Sequence, residues 1–217
     1  MLIPIHTKED RLSALTRAAG VILSGGIVAF PTESFYGLAV NAEHEGAIQR
    51  LLAVKKRGSD QPILILISDL DILDRYVADI PETARALINH LWPGGLTLVF
   101  RAKPTVSTLL TTGTGKIGVR LSSHPIARDL GRAAGLAITG TSANVSGGAP
   151  CMDAMDVWNS LGDQVDLILD GGKTEGGKGS TVLDVTVQPP RVLRDGMVGV
   201  ERLRSIVSCH ESVVKRP

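Results

Sequence analysis

The clearest candidate for chemistry in this chain is a loop of small polar residues, TGTSANVSG, at positions 139–147. It follows the apolar run LAI at 136–138 and offers hydroxyls, a side-chain amide and glycines, without a carboxylate, histidine or cysteine. Short hydrogen-bonding side chains and close backbone approach suit phosphate oxygens or an amino-acid ligand. The alternative is a Ser/Asn turn that satisfies only its own backbone.

A second group of hydroxyls follows another apolar run. In PTESFYGLAV, residues 31–40, the side chains of Thr32, Ser34 and Tyr36 alternate just beyond a predicted strand. Ligands bind at the carboxyl ends of strands in open α/β sheets, so these three residues are candidates for a binding site. The alternative is a turn whose hydroxyls cap the next helix.

Three cations stand together directly after a predicted helix, in KKRGSDQP at 55–62. A helix C-terminus favours cations whatever their use. The same run could clamp phosphate, because Arg57 offers a planar fork and Lys55 a point charge. Spacing alone leaves a solvated basic run and a phosphate site both open.

The segment DGGKTEGGKGST, residues 170–181, resembles a nucleotide P-loop only in part. Gly172, Gly177 and Lys178 have the G-x-x-x-x-G-K spacing, but Gly179 follows where that motif needs a Ser or Thr hydroxyl. The next predicted element is also a strand rather than the helix whose N-terminus would hold phosphate. We interpret the segment as a flexible glycine loop that brings Ser180 to the start of a strand.

Other catalytic patterns are missing from the sequence. The five histidines are scattered, and neither an H-E-x-x-H metal motif nor a G-x-S-x-G nucleophile elbow occurs. Any chemistry would therefore depend on positioning and charge neutralisation, as phosphoryl and nucleotidyl transfer do.

The hydrophobic periodicity predicts the elements that must position these residues. Helices are predicted at 7–23, 44–54, 81–90, 124–135, 153–162 and 199–207. Strands are predicted at 27–31, 62–68, 96–102, 116–122, 136–140, 165–170, 180–186 and 190–196. Thr7 and Asp10 have the spacing of a capping box, and Gly135 suits the end of its helix.

These elements predict an α+β fold of the three-layer α/β/α type, with a twisted mixed β-sheet and helices on both faces. The sheet must be mixed because the strands at 180–186 and 190–196 are too close in sequence for a helical crossover. Neither an internal repeat nor a long linker divides the chain, so a single domain over 1–217 is expected.

Composition excludes several functional classes. The 23 Lys+Arg and 22 Asp+Glu residues leave a net charge of +1, which gives no global attraction to nucleic acid or anionic membranes. Aromatic residues make up only 3%, which argues against a stacking platform for single-stranded nucleic acid. The apolar runs are too short to span a bilayer. Cys151 and Cys209 form neither a metal-type pair nor a disulfide framework, so a cytoplasmic location is expected.

Taken together, the motifs resemble the YrdC-like threonylcarbamoyl-AMP synthases over about residues 10–204. The matching blocks are GGIVAFPTESFYGLAVNA, LLAVKKRGSDQPILILI, LWPGGLTLVF, IGVRLSSHPIA, ITGTSANVSG, DGG with STVLDVT, and VLRDGMV. The most specific part is the K-x-R and S-x-N set, present as Lys55, Arg57, Ser142 and Asn144. The chain resembles the short, single-domain form of the family.

The resemblance implies an enzyme that joins L-threonine, bicarbonate or CO₂, and ATP into threonylcarbamoyl-AMP and releases diphosphate. Mg²⁺ would accompany ATP. The implied partners are the enzymes that transfer the threonylcarbamoyl group to the adenosine next to the tRNA anticodon. Family members also bind RNA on a concave basic face, which in this chain would have to be local.

The resemblance also implies roles for residues. The catalytic set would be Lys55, Arg57, Ser142 and Asn144. The ATP phosphates would contact Arg57, Ser142, Asn144 and Arg194, with Lys55 beside them and Lys116 as a weaker candidate. Threonine would contact Ser34, Arg120 and Ser180, with Thr32 and Tyr36 shaping its pocket. No side-chain metal site is implied.

Two other classes of function remain open. One is a YrdC-like paralogue that binds nucleotide or structured RNA without making the product, as in ribosome maturation. The intact K-x-R and S-x-N residues favour the enzyme over this paralogue. The other is the carbamoyl-adenylate module of hydrogenase maturation proteins, which are large and carry zinc-binding cysteine pairs that this chain lacks.

Overall fold

The computed structural model describes residues 1–56 and 61–214. The α-helices are α1 Lys8–Leu23, α2 Glu45–Lys55, α3 Glu82–Leu91, α4 Thr108–Thr111, α5 Pro125–Ala134, α6 Ala154–Leu161 and α7 Val200–Val214. The strands are β1 Leu2–Pro4, β2 Val28–Pro31, β3 Tyr36–Ala39, β4 Ile65–Ile67, β5 Leu96–Arg101, β6 Lys116–Leu121, β7 Ile138–Thr139, β8 Thr141–Ser142, β9 Leu167–Asp170, β10 Thr181–Asp184 and β11 Arg191–Arg194. Short 3₁₀-helices lie at Leu70–Arg75 and Gly162–Gln164.

The strands form two mixed sheets that together carry the fold. One sheet has the order β1-β9-β2-β3-β8 and the other the order β11-β10-β5-β6-β4-β7. The predicted α+β class with mixed pairing is confirmed, and β10 and β11 pair antiparallel as their short connection requires. The expectation of one continuous sheet is wrong, because the strands divide between two sheets.

The chain passes from one sheet to the other at Gly140. β7 belongs to the six-stranded sheet and β8, one residue later, to the five-stranded sheet. A Cβ at Gly140 would lie 2.7 Å from Leu64 Cδ1 and 2.8 Å from Leu66 Cγ, so a side chain has no room there. The predicted strand at 136–140 is therefore interrupted at the point where the small-residue loop begins.

Every predicted helix and strand has a counterpart, with ends that differ by three residues or fewer except that α7 extends to Val214. The prediction missed β1, β3, α4 and β8, all of which are four residues or shorter. β3 pairs antiparallel with β2, and its four residues are all buried. The sequence offers a helix-capping turn as the alternative for the residues after β2, whereas residues 32–35 are the turn of a β-hairpin that leads into β3.

Helix ends follow the local signals in the sequence. Thr7 and Asp10 form the expected capping box at the start of α1, because each side chain accepts the other's backbone N–H. Gly135 ends α5 with φ 71°, a left-handed conformation in which glycine is unstrained. α1 and α5 pack against each other and against β2, and both contribute to one of the two buried apolar clusters. None of the helices in the described ranges is long and apolar enough to cross a bilayer.

Candidate active site

A cleft of about 580 Å³ lies between the two sheets and contains most of the predicted site residues. Its walls come from the loop before β3, the sheet-crossing segment after β7, and strands β5, β6, β10 and β11. Eight of the eleven predicted residues line it, namely Thr32, Ser34, Tyr36, Lys116, Arg120, Ser142, Ser180 and Arg194. Side chains as far apart in sequence as Thr32 and Arg194 therefore share one cavity.

Lys55 and Asn144 lie directly beside the cleft and hold its small-residue loop. The Lys55 ammonium at the end of α2 is 2% exposed and donates to the backbone oxygens of Ser142, at 2.5 Å, and Asn144, at 2.6 Å. It also contacts Ser142 Oγ at 3.3 Å and Asn144 Oδ1 at 3.2 Å. The K-x-R lysine thus clamps the S-x-N loop. Arg57, its partner in the motif, lies outside the described residues.

Within this loop the polar side chains hydrogen-bond to one another. Ser142 Oγ donates to Asn144 Oδ1 at 2.5 Å, and the Asn144 amide donates to the Gly148 carbonyl at 2.5 Å. Ser142 is exposed to the cleft, whereas Asn144 is buried. The loop therefore presents a hydroxyl on a rigid support, which is the arrangement that recognition of a polar ligand needs.

Arg120, on β6, is a buried cation in the cleft wall. Its side chain is 7% exposed, and its Nη2 lies 2.5 Å from Glu33 Oε1. Its Nε donates to the Gly94 carbonyl at 3.0 Å. Burial raises the pKa of Glu33, but the Arg120 charge and hydrogen bonds outweigh it and lower the pKa to about 2. The pair is therefore ionised at neutral pH.

Arg194, at the end of β11, lies beside the start of β10. Its Nη2 donates to Ser180 O at 2.9 Å and to Ser180 Oγ at 3.1 Å, while the Ser180 hydroxyl contacts Thr97 Oγ1 at 2.8 Å. Burial and the nearby Arg120 charge lower the pKa of Arg194. No carboxylate among the described residues forms an ion pair with this guanidinium, so its charge is available to an anion in the cleft.

Lys116, at the start of β6, makes an ion pair within the cleft. Its ammonium lies 2.8 Å from Asp184 Oδ2. Burial raises the pKa of Asp184, but its contacts with Lys116 and Thr186 lower it overall. Lys116 is thus partly neutralised in the absence of a ligand, unlike Arg194.

The hydroxyls before β3 organise the opposite wall of the cleft. Thr32 Oγ1 donates to the Phe35 carbonyl at 2.7 Å and lies 3.4 Å from Ser34 Oγ. The Tyr36 hydroxyl donates to Gly172 O at 2.8 Å and accepts from the Gly171 N–H. Burial, followed by the Asp170 charge, raises the pKa of Tyr36, so the phenol stays protonated. Tyr36 thereby anchors the start of the glycine loop.

The glycine loop itself is tied to the site at several points. Thr174 bonds through its N–H and hydroxyl to the Met152 carbonyl, at 2.8 and 3.0 Å, and the Gly176 N–H donates to Ser34 O at 2.9 Å. Its structure agrees with rejection of the P-loop, because β10 rather than a helix follows.

Two residues of the cleft wall, and one residue directly behind it, escaped the sequence analysis. Glu33, Thr97 and Asp184 each partner a predicted residue through contacts that only tertiary structure creates. A signal existed for Glu33, which stands between Thr32 and Ser34. Thr97 and Asp184 occur inside strand patterns, where nothing in the sequence marks them.

Cys151, the described cysteine, does not line this cleft. Cys151 is free and buried, and burial, followed by the Asp156 charge, raises the pKa of its thiol to about 11. It is therefore a thiol rather than a nucleophilic thiolate at neutral pH. Among the residues that the structure describes, no group of three His, Cys, Asp or Glu side chains could hold a metal ion.

The chain is similar to known proteins over most of its length. Residues 20–196 match the family model Sua5_yciO_yrdC, whose description is "Telomere recombination". The threonylcarbamoyl-AMP synthase of Pyrococcus abyssi is 38% identical over 88% of this chain, which spans 56% of that relative. The threonylcarbamoyl-AMP synthase of Idiomarina loihiensis is 36% identical over 82% of this chain, which spans 96% of that relative.

Solved structures agree with the sequence comparison. The crystal structure of P. abyssi Sua5 complexed with L-threonine superimposes with a TM-score of 0.91 at 35% identity, covering 95% of this chain and 60% of that one. The family model covers the residues that form the cleft. The chain belongs to the Sua5/YciO/YrdC family.

Proposed function

We propose that this chain is a threonylcarbamoyl-AMP synthase, a nucleotidyltransferase that uses L-threonine, bicarbonate or CO₂, and ATP. The observation that carries the proposal is that Arg120, Arg194 and Ser142 share one cleft of about 580 Å³. A substrate with a carboxylate and a substrate with phosphates can meet between two such guanidinium groups. The names of the P. abyssi and I. loihiensis relatives support this assignment.

The proposed reaction needs charge stabilisation rather than a protein nucleophile. The threonine amine adds to CO₂ and loses a proton, which gives a carbamate. A carbamate oxygen then forms a bond to the α-phosphorus of ATP, and the bond from that phosphorus to the diphosphate breaks. Negative charge develops on the phosphoryl oxygens and the leaving group, where fixed cations and hydrogen-bond donors lower the barrier.

Threonine is assigned to the part of the cleft around Arg120. The guanidinium suits the amino-acid carboxylate, while Ser34 and Ser180 offer hydroxyls on either side. Thr32 and Tyr36 shape this part of the wall. The structure of P. abyssi Sua5 with L-threonine supports threonine as the amino acid.

The ATP phosphates are assigned to Arg194 and to the loop that contains Ser142. Arg194 has no carboxylate partner among the described residues, so a polyanion can take up its charge. In this scheme Lys55 and Asn144 hold the loop, and Arg57, which the sequence resemblance assigns to the phosphates, supplies a further cation. Lys116 can join the phosphates if it exchanges its contact with Asp184.

Mg²⁺ is proposed to enter as the ATP complex. Asp184, a carboxylate in the cleft wall, is already paired with Lys116, so the phosphates would supply most of the ion's oxygen ligands. The ion would neutralise charge on the leaving diphosphate.

We further propose a cytoplasmic protein that passes its product to threonylcarbamoyl-transfer enzymes of tRNA modification, with RNA binding as a secondary property.

The deciding experiment is diphosphate release from ATP, with Mg²⁺ and bicarbonate, in the presence and absence of L-threonine. Threonine-dependent release that is lost on adding EDTA is the expected result. The matched amino-acid control is L-valine, which replaces the threonine hydroxyl with a methyl group. Bound ATP without any threonine-dependent release would contradict the proposal and favour the paralogue that binds nucleotide or RNA without catalysis.

A further inference from the structure

Behind the cleft wall, a carboxylate contacts Arg120 from outside the cavity. Glu33 is not one of the residues that line the cleft, and its side chain is 11% exposed. Its Oε1 lies 2.5 Å from Arg120 Nη2. Because Glu33 does not reach the cavity, any effect that it has on a ligand must pass through Arg120.

Glu33 is itself held in place by the chain that follows β6. The Ser122 hydroxyl donates to Glu33 Oε2 at 2.5 Å, and the Ser123 N–H donates to Glu33 Oε1 at 3.3 Å. The His124 N–H in turn donates to Ser122 Oγ at 3.2 Å, next to the start of α5. The carboxylate therefore joins the loop before β3 to the same strand end that carries Arg120.

The guanidinium of Arg120 is thus restrained on two of its three nitrogens. Nε donates to the Gly94 carbonyl. Nη2 forms an ion pair with the Glu33 carboxylate, although the geometry of this contact is not that of a hydrogen bond. Within the described part of the chain, Nη1 makes no hydrogen bond. An arginine binds a carboxylate through N–H groups that lie in the plane of its guanidinium. The orientation of that plane therefore decides whether the free edge of the guanidinium, the side without a protein partner, can reach the ligand.

We propose that Glu33 is a positioning residue, which fixes the plane of the Arg120 guanidinium so that its free edge receives the carboxylate of the amino-acid substrate. This inference rests on the proposed function, because the ligand assigned to Arg120 is threonine. Glu33 does not touch the substrate and takes no part in the chemical step.

A positioning role and simple electrostatics predict opposite results. Glu33 carries a negative charge close to the site of an incoming carboxylate, so removing that charge by itself would tighten threonine binding. If Glu33 acts by orienting Arg120, its replacement weakens binding instead, since the fork loses its support. The sign of the change therefore separates the two explanations.

The test is calorimetric titration of L-threonine and, separately, of ATP into purified wild type and Glu33→Gln. We expect Glu33→Gln to weaken threonine binding about tenfold and to leave ATP binding within about twofold. Ser122→Ala removes one donor to Glu33 and should weaken threonine binding in the same direction, by a smaller factor. This second variant carries the test if Glu33→Gln does not fold.

A double-mutant cycle with Arg120→Lys identifies the route of the effect. Lysine keeps the charge but has no planar fork, so in that background Glu33→Gln should no longer weaken threonine binding. The matched control is Glu43→Gln, which disrupts the Glu43–Arg75 ion pair, with its 2.7 Å contact, away from the cleft. This control should bind threonine as wild type does.

Each result has a defined meaning. Wild type that binds no threonine would overturn both the proposed function and the role of Glu33. Wild type that binds threonine, together with Glu33→Gln that binds it equally well or more tightly, would overturn the role of Glu33 alone. An equal loss of threonine and ATP binding, or the same loss in Glu43→Gln, would also overturn it, because a general structural defect would then explain the result.

Discussion

At the residue scale, Ser142 is an exposed residue of the small-residue loop and lines the cleft. We expect Ser142→Ala to reduce threonine-dependent diphosphate release by about 100-fold or more, because the hydroxyl of this cleft residue, which contacts both Lys55 and Asn144, is lost. The melting temperature should change little, since Ser142 is exposed. Ser205→Ala, on the exposed face of α7, is the control and should keep full activity.

The same expectation applies to Arg57, which the sequence assigns to the site. If Arg57→Ala folds normally but loses threonine-dependent diphosphate release, Arg57 belongs to the active site. Wild-type rates of diphosphate release in both Arg57→Ala and Ser142→Ala would contradict the assignment of these two residues to the active site.

The ionised Glu33 also makes a residue-scale prediction about acid stability. Its pKa is lowered from 4.5 to about 2, so its contribution to folding is complete above pH 4.5 and is lost as the pH falls towards 2. The pH-dependent difference in unfolding free energy between wild type and Glu33→Gln should be about 3 kcal/mol at pH 7 and about 1 kcal/mol at pH 3.

Urea denaturation at both pH values measures this difference. A difference that does not change between pH 7 and pH 3 would contradict the strong ion pair with Arg120.

At the element scale, the crossing between sheets at Gly140 positions the small-residue loop in the cleft wall. We expect Gly140→Ala to destabilise the protein by about 1–3 kcal/mol, because its Cβ would overlap Leu64 and Leu66. Gly20→Ala is the matched control, since no atom lies within 4 Å of its added Cβ in α1. That control should stabilise the helix by about 0.5–1 kcal/mol. Equal melting temperatures for the two variants would contradict the tight crossing.

At the scale of the whole molecule, we propose that the chain is one domain over 1–217. Both sheets contribute residues to the walls of the cleft, and a single residue separates β7 in one sheet from β8 in the other. The two sheets are therefore expected to fold and unfold together. Scanning calorimetry should therefore give one transition, with calorimetric and van't Hoff enthalpies that agree. Two separate transitions would instead divide the chain into independently folding units.

The sequence by itself determined the order of the longer elements and the mixed pairing, and it selected eleven residues of which eight line one cleft. Periodic apolar residues, the Thr7–Asp10 capping box and Gly135 are local signals, because each acts within a few residues of itself. The motif segments likewise identified eight residues that now line one cleft.

Only the tertiary structure decided which charges face each other and how the strands divide. Glu33 meets Arg120 across 87 positions of sequence, and Asp184 meets Lys116 across 68, so no local pattern could predict either pair. The sequence resemblance assigns Lys55 to a place beside the phosphates. Its four contacts with Ser142 and Asn144 depend on the packing of α2 against the loop, which no local pattern predicts. The physical reason is that local propensity depends on neighbours in sequence, whereas ion pairing and burial depend on neighbours in space.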